Sequence, residues 1–381
     1  MLVSLSVPTF SVFAQDENDI EKQLSTNVQE QLDSIDFSKL DTLLSELQDE
    51  YEFLGQESFK DKVSSILSGS YFNDYDSLLS SILSLLLGQV KQFLPILLII
   101  ICIAILGSIV TNFRPNISSN GVNNIVHFVC YGLVIMLVTM TIKQVCVLTS
   151  NSLTSMKNQM DVIFPLLMTL LTAIGSVASV SIYNPLVAVL TNGVSVLFNN
   201  VMYPIFILSF VFVVLGHLTH TVKLKKINSF LSSTFKWLVG IIFTVFGTML
   251  ALQGISAGKS DALSVKLTKF TVKSYVPIIG GYISDGFDLI CLSSMLIKNA
   301  VGVVGLLVIF GTILVPIITI VVLKLGLKLA SGLTEPIGDS KISNFLDECS
   351  NVMIYPIVII LAVAFMYLIT ISLIISTANI L

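Results

Sequence analysis

Charge is scarce in this 381-residue chain. Asp, Glu, Lys and Arg together make up 12% of it, whereas 54% of its residues are hydrophobic. Soluble globular domains carry about 25% charged residues. So few charges cannot cover a water-facing surface of this size. The composition therefore excludes a wholly soluble protein and predicts an all-α fold, a polytopic helical bundle embedded in a lipid bilayer.

The signatures of common enzyme sites are also missing. The sequence has no HExxH, GxSxG or P-loop pattern. Its three histidines (His127, His217 and His220) are too few to favour a histidine-based metal site, and its five cysteines show no CxxC spacing. The lysines adjoin apolar segments rather than exposed aromatic residues, which disfavours nucleic-acid binding. We predict no enzymatic activity, no metal and no cofactor.

The few charges are unevenly distributed. Residues 15–90 carry a net charge of −12, and residues 91–381 carry +8. An acidic segment joined to a basic, apolar one predicts two parts in different solvents. Residues 1–14 end in Val12-Phe13-Ala14 and resemble a signal peptide that lacks its basic start. We therefore expect a truncated signal peptide in 1–14, an exported acidic helical domain in 15–90 and a multispan membrane domain in 91–381.

Apolar residues recur at steps of three and four within the acidic domain. This spacing places one apolar stripe along each of its predicted helices. The stripes pack on each other or on the membrane domain, or they bind a partner protein, and the pattern alone does not separate these alternatives. Residues on the stripes are Leu40, Leu43, Leu44, Leu47, Tyr51, Leu54, Phe59, Val63, Ile66 and Leu67.

Several apolar segments approach the roughly 20 residues that a helix needs to cross a bilayer. Two stretches, Pro185–Gly216 and Ala300–Leu329, are about 30 residues long. A proline lies inside each, so we expect short or broken helices there and seven to ten spans in total. The other candidates are Phe93–Thr111, Ile125–Ile142, Val162–Val180, Trp237–Leu252 and Val352–Ile375.

Polar and helix-breaking residues inside the apolar domain are the candidate functional positions. Val276–Cys291 contains glycines and two aspartates, which predicts a re-entrant segment or a span that lines a polar interior. Asp288 and Lys298 are candidate partners across a turn; alternatively, these polar residues lie at the headgroup level. The candidates are Asp285, Asp288, Lys298 and Asn299 for the pathway; Asn192, Asn199 and Asn200 for helix packing; and Pro165, Pro204, Pro277, Pro316, Gly280 and Gly281 for broken helices.

An internal duplication is also indicated. Pro165 and Pro277 are 112 residues apart, and Gly193 and Gly305 keep the same offset. So do Pro204-Ile205 and Pro316-Ile317, whereas KINSFL at 226 and KISNFL at 341 follow a three-residue insertion. These landmarks predict repeats over about 162–255 and 275–377. Such repeats are frequent in transport-type membrane proteins.

Three segments carry a resemblance to a known family. They are QGISAGKSDALSVKLTKFTVKSYVPIIGGYISDGFDLI from Gln253, LIKNAVGVVG from Leu296 and EPIGD from Glu335. On these landmarks the chain resembles the stage III sporulation protein AE family of endospore-forming Firmicutes. The resemblance implies a protein of the mother-cell membrane around the forespore, in a channel-like or secretion-like complex that spans both membranes.

The resemblance also implies partners. They are other membrane proteins of the stage III sporulation A operon and a forespore-side channel partner, and we expect the chain to oligomerise. The function expected is a component that forms or braces a conduit needed for forespore development. The alternative, which the apparent duplication favours, is a stand-alone secondary transporter.

Overall fold

The computed structural model describes residues 17–50, 55–69, 75–112, 120–218, 224–275, 280–337 and 340–377. Within these ranges the chain is helical and contains no β-strand, as the composition predicts. The expected signal peptide, Pro277 and the last four residues lie outside them. The helices are α1 (Glu17–Ser34), α2 (Ser38–Glu50), α3 (Phe59–Leu67), α4 (Tyr75–Asn112), α5 (Asn120–Ala173), α6 (Val177–Ala188), α7 (Ser195–Leu197), α8 (Tyr203–Leu218), α9 (Lys225–Tyr275), α10 (Gly280–Thr334), α11 (Ser340–Val352) and α12 (Ile354–Ser376).

Six apolar helical runs in the described residues are long enough to cross a membrane. They confirm the polytopic helical class, and the expected number of seven to ten spans stays a prediction. Ile125–Ile142 and most of Val162–Val180 belong to the single helix α5, because the polar residues between them are helical. The six runs are Leu83–Leu106, Phe128–Ala173, Val177–His217, Lys226–Ala251, Asp288–Thr334 and Lys341–Ser376.

Four of these runs greatly exceed the length that a bilayer requires. They contain 46, 41, 47 and 36 residues, whereas the runs in α4 and α9 contain 24 and 26. The longest, Asp288–Thr334, extends about 70 Å along its axis at 1.5 Å per residue. The hydrocarbon core of a bilayer is about 30 Å thick. The apolar helices are therefore up to about twice as long as one bilayer requires.

Of the positions expected to break helices, some lie inside continuous helices and others lie at helix ends. Pro165 and Pro316 lie inside α5 and α10, which continue past them. Pro204 is the second residue of α8, directly after the two π-helical segments Val189–Val194 and Phe198–Met202. Gly280 and Gly281 begin α10, so Gly280–Cys291 is the start of a long helix and not a separate re-entrant segment.

The long helices pack antiparallel around α10. Gln159 of α5 contacts Thr312, and Cys291 of α10 contacts the carbonyl of Ile174, so α5 and α10 run in opposite directions. α12 is also antiparallel to α10, since Lys298 bonds to the carbonyl of Ile375. Most of the buried apolar residues lie in these helices and form one cluster with those of the other helices.

The acidic segment forms a small helical head that packs on the bundle. Phe37 and Phe59 stack with ring centroids 5.8 Å apart, and Leu40, Leu44 and Val63 are buried around them. α1 and α3 contact α10, and α2 contacts α5. The apolar stripes of the head therefore pack both on each other and on the membrane domain.

Candidate functional site

Lys298 is the most deeply buried charged residue among those predicted for the pathway. Its side chain is completely buried in α10, and Nζ donates hydrogen bonds to the carbonyl oxygens of Ile375 (2.9 Å) and Thr377. These carbonyls belong to the end of α12, where the last four C=O groups of a helix lack intrahelical partners. A cation there also complements the negative end of the helix dipole. Lys298 therefore caps α12 from the neighbouring helix.

Two further contacts fix the end of α12. Gly302 lies one turn after Lys298, and a Cβ at that position would collide with the side chain of Ile375. The hydroxyls of Tyr183 and Thr377 are hydrogen-bonded at 2.8 Å. The end of α12 is therefore held by α10 on one side and by α6 on the other.

The other predicted pathway residues do not gather around Lys298. Asp288 and Asn299 are half-buried on α10, and the side chain of Asp285 lies outside the described residues. Asp288 and Lys298 are ten residues apart on one continuous helix, or about 15 Å along its axis. The expectation that they pair across a turn was wrong, because no turn separates them. A pathway role for these residues stays a prediction.

The three asparagines predicted for helix packing lie at the π-helical segments. Asn192 is in the first segment, and Asn199 and Asn200 are in the second. All three are exposed, and Nδ2 of Asn192 donates to the carbonyl of Ala188 in its own helix at 3.3 Å. π-Helical segments are frequent at functional sites. Helix packing by these asparagines stays a prediction.

A polar crevice lies between the head and the bundle. It has a volume of about 290 Å³ and is bounded by α2, the middle of α5 and α10. An adjoining groove of about 540 Å³ shares Leu148 and Asn151 with it and continues along α5 to Met140. The residues that line the crevice are Leu47, Leu148, Asn151, Ser152, Thr154, Ser155 and Thr312.

A buried amide lies directly behind the wall of this crevice. Gln159 is 2% exposed, and its Nε2 donates to Oγ1 of Thr312 at 2.7 Å. Oε1 of Gln159 has no hydrogen-bond partner among the residues that the structure describes. A buried acceptor without a partner costs about 1–3 kcal/mol. Oε1 of Gln159 therefore remains an unsatisfied acceptor behind Thr312, outside the residues that line the crevice.

A polar contact of Gln31 also joins the head to the bundle. Nε2 of Gln31 in α1 lies 3.2 Å from Oγ of Ser293, and its Oε1 accepts a hydrogen bond from Ser294 at 3.0 Å. Ser293 and Ser294 are both buried on α10. This contact, the Gln31 clasp, fixes the position of α1 on the membrane domain.

Sequence reasoning missed the crevice and the clasp. The sequence signal for the crevice is the polar run LTSNSLTSMKNQ inside α5, which interrupts two apolar segments. A polar run of this kind predicts a loop between two spans. In the structure the run is helical, and Gln159 at its end contacts Thr312 of α10. Gln31 carries no local signal, because its partners are 262 and 263 residues away.

The described residues contain no group of three or more His, Cys, Asp or Glu side chains that could hold a metal ion. The crevice and the Gln31 clasp are instead formed by neutral hydroxyls and amides together with apolar side chains. Long apolar helices, a helical head fixed to them and a neutral polar crevice define a multispan membrane protein.

Comparison with known proteins gives the family. Residues 57–378 match the family of stage III sporulation protein AE, and the chain belongs to this family, as its sequence landmarks indicated. It is 22% identical over 346 residues to stage III sporulation protein AE of Bacillus subtilis (strain 168), covering 91% of this chain and 87% of that relative. No solved structure matches. The family assigns the protein a role in sporulation.

Proposed function

We propose that this protein is a membrane component of a sporulation complex between mother cell and forespore, in which it forms or braces a conduit. The observation that carries the proposal is the length of its packed apolar helices. Four of the six helical runs contain 36 to 47 residues, polar stretches such as 148–159 included, although about 20 suffice to cross one bilayer. Helices of this length would extend beyond one bilayer, as expected of a protein that reaches from one membrane towards another.

The polar crevice supports the conduit. Polar groups inside a membrane domain are costly unless they are paired or line a water-filled path. The crevice combines four hydroxyl residues and Asn151 beside a buried amide, and it adjoins a longer groove along the same helix. Leu47 of the head forms part of its wall, so movement of the head would change access to it.

The direction of the helices supports parallel repeats. Phe235 packs on Tyr355 and Phe243 on Phe365, so α9 and α12 run in the same direction. Each of the proposed repeats, 162–255 and 275–377, therefore contributes one long apolar helical run and a returning helix in the same order. Repeats with an even number of crossings are related by an axis along the membrane normal.

The orientation that we propose places the head on the exported side of the mother-cell membrane. Six crossings then put the end of α12 on the same side as the head. In the sequence, Arg114 follows α4 and Lys223 and Lys226 follow α8, which suits the excess of basic residues in cytoplasmic loops. Four lysines after the fourth crossing do not fit this count: Lys259, Lys266, Lys269 and Lys273. The exported head would face the forespore-side partner, and the other A-operon membrane proteins would flank the helices.

A stand-alone secondary transporter is the second candidate. The π-helical segments and the exposed asparagines on them favour it, because interrupted helices often form substrate sites in transporters. Transport by the protein alone in vesicles, without its proposed partners, distinguishes this candidate from a component of a complex.

The conduit is tested by filling the crevice in sporulating cells. In a strain that lacks the native gene, Asn151→Trp with Ser155→Trp should abolish late forespore gene expression and the formation of heat-resistant spores. Thr139→Trp, at an exposed position of α5 outside the crevice, is the matched control and should support both. Immunoblots of membranes confirm equal amounts of each variant. Normal spores from the double variant would contradict a conduit through the crevice.

A further inference from the structure

The wall of the crevice is uncharged. Its residues are two leucines, an asparagine, two serines and two threonines, and none of them carries a charge at any accessible pH. A site for an anion or a divalent cation normally contains a basic residue or carboxylates. The nearest charged residue in the adjoining groove is Lys143, which is exposed and two turns away from Asn151 along α5. Charged solutes therefore find no compensating group in the crevice.

Three of the four hydroxyl hydrogens in the wall are already used. Ser152 donates to the carbonyl of Leu148, Thr154 to that of Ser150 and Thr312 to that of Val308. A hydroxyl that donates within its own helix keeps lone pairs for accepting. These three groups therefore act as acceptors, whereas Ser155 and Asn151 can both donate and accept.

A buried amide behind the wall fixes one of these hydroxyls. Nε2 of Gln159 donates to Oγ1 of Thr312, whereas Oε1 of Gln159 is itself buried and does not line the crevice. Because Thr312 already accepts from Gln159 and donates to Val308, its hydroxyl is held in one orientation. Thr312 therefore offers its remaining lone pair as an acceptor in a fixed orientation, which favours a molecule with O–H or N–H donors.

We propose that the crevice between α2, α5 and α10 binds a small uncharged solute with several O–H or N–H donors, of the size and polarity of a polyol. The volume of about 290 Å³ is at the lower end of the range of small-molecule sites. The proposal deepens the proposed function and rests on it, since it names the class of solute that the conduit would admit. It predicts binding that can be measured on the purified chain.

The test uses a cysteine in the wall as a reporter. The full chain carries Ser155→Cys, with the five native cysteines replaced by alanine, and is purified in lipid nanodiscs. Reaction of the new thiol with the neutral reagent methyl methanethiosulfonate is followed by mass spectrometry. Erythritol, an uncharged molecule with four hydroxyls, should slow the reaction, whereas potassium chloride of equal osmolarity should not.

Two variants and a control make the test specific. Adding Ser152→Ala or Thr312→Val should raise the erythritol concentration needed for half-protection about fivefold, the effect of one lost hydrogen bond. Adding Thr139→Val, which removes an exposed hydroxyl on the same helix, should leave that concentration unchanged. Ser152→Ala removes only a hydroxyl that bonds within its own helix, so the test still holds if the Thr312→Val variant does not fold.

Each outcome decides the proposal. Equal slowing by potassium chloride, no slowing by erythritol, or protection that survives both variants would overturn it. Protection by erythritol together with normal spores from the Asn151→Trp and Ser155→Trp variant would support the binding site but contradict the conduit. Loss of spores in that variant without protection by erythritol would support the conduit but contradict the proposed class of solute.

Discussion

Nζ of Lys298 in α10 donates a hydrogen bond of 2.9 Å to the carbonyl oxygen of Ile375, 77 residues later in the chain. The lysine is completely buried, and its second acceptor is the carbonyl of Thr377. The contact joins the start of one long apolar helix to the end of the last. Lys298, a polar residue in an apolar segment of the sequence, thus holds two helices together.

Removing this cap should destabilise the bundle. Lys298→Met keeps the length of the side chain but leaves two carbonyls at the end of α12 without their donor. The expected loss is about 1–3 kcal/mol of unfolding free energy, the cost of an unsatisfied buried group. Thermal unfolding of the purified chain in detergent, followed by circular dichroism, measures it.

The matched control is Lys328→Met on the same helix. Lys328 is 59% exposed and lies 3.5 Å from Asp347, which is itself 43% exposed. Surface pairs of this kind contribute about 0–1 kcal/mol. An equal loss of stability in both variants would contradict a special role for Lys298.

Gly302 should not tolerate a side chain. Gly302→Ala places a methyl group against Cγ1 and Cδ1 of Ile375 and should lower the unfolding temperature, although alanine is the better helix former. Gly132→Ala, on an exposed part of α5 with no heavy atom within 4 Å of the new Cβ, should raise it or leave it unchanged. Adding Ile375→Ala to Gly302→Ala should restore part of the loss; failure of this rescue would argue against the contact.

The sequence predicts the fold class well, but it predicts the bounds of the individual helices less well. Composition and hydropathy suffice for a helical membrane protein, and the spacing of Leu40, Leu44 and Val63 predicts the buried face of the head. The length of the helices could not be predicted, because a polar run is normally taken to end a helix. In α5 the polar run around Asn151 remains helical and faces the crevice. Its partners on α10 and in the head are remote in sequence.

The predicted site shows the same limit. Lys298 was identified as important because a buried lysine is rare, yet its partners are backbone carbonyls, which a sequence does not distinguish. Gln159 was not singled out, since one glutamine in a polar run has no unusual feature. Both roles depend on antiparallel packing against α10, and this is a property of the tertiary structure alone.

The Gln31 clasp should hold the head on the bundle. Gln31→Ala removes the hydrogen bonds to Ser293 and Ser294, so α1 should separate from α10 more often. Amide hydrogen exchange in α1 should become faster, by about fivefold for each hydrogen bond of average strength. Gln29→Ala, at an exposed position of the same helix, should leave exchange unchanged. Equal exchange in the two variants would show that the apolar contacts suffice.

Lys62 should make the stability of the head depend on pH. Its side chain is 5% exposed, and burial lowers its pKa below the usual 10.5, although Glu57 at 3.9 Å opposes part of this effect. The folded state then binds fewer protons than the unfolded state between the two pKa values. Stability therefore rises with pH as pH approaches 10.5 from below.

The comparison that isolates this effect uses Lys62→Met. The unfolding temperature of the unmodified chain should increase relative to this variant as pH is raised from neutral. Lys60→Met, which removes an exposed lysine paired with Asp33, should follow the unmodified chain. Parallel pH curves for the unmodified chain and Lys62→Met would contradict the effect of burial on Lys62.

The most direct test of the account measures the depth of two leucines on α10. Leu292 and Leu329 are 37% and 61% exposed and lie 37 residues apart, about 55 Å along the helix. Nitroxide labels at these positions, in the full chain in liposomes, are compared for collisions with lipid-soluble oxygen and with a water-soluble nickel complex. If the helices reach beyond one bilayer, the two labels never both lie in the hydrocarbon core, which is about 30 Å thick. Strong oxygen and weak nickel collisions at both positions would show that the bundle fits within one bilayer, and would contradict a body that reaches beyond it.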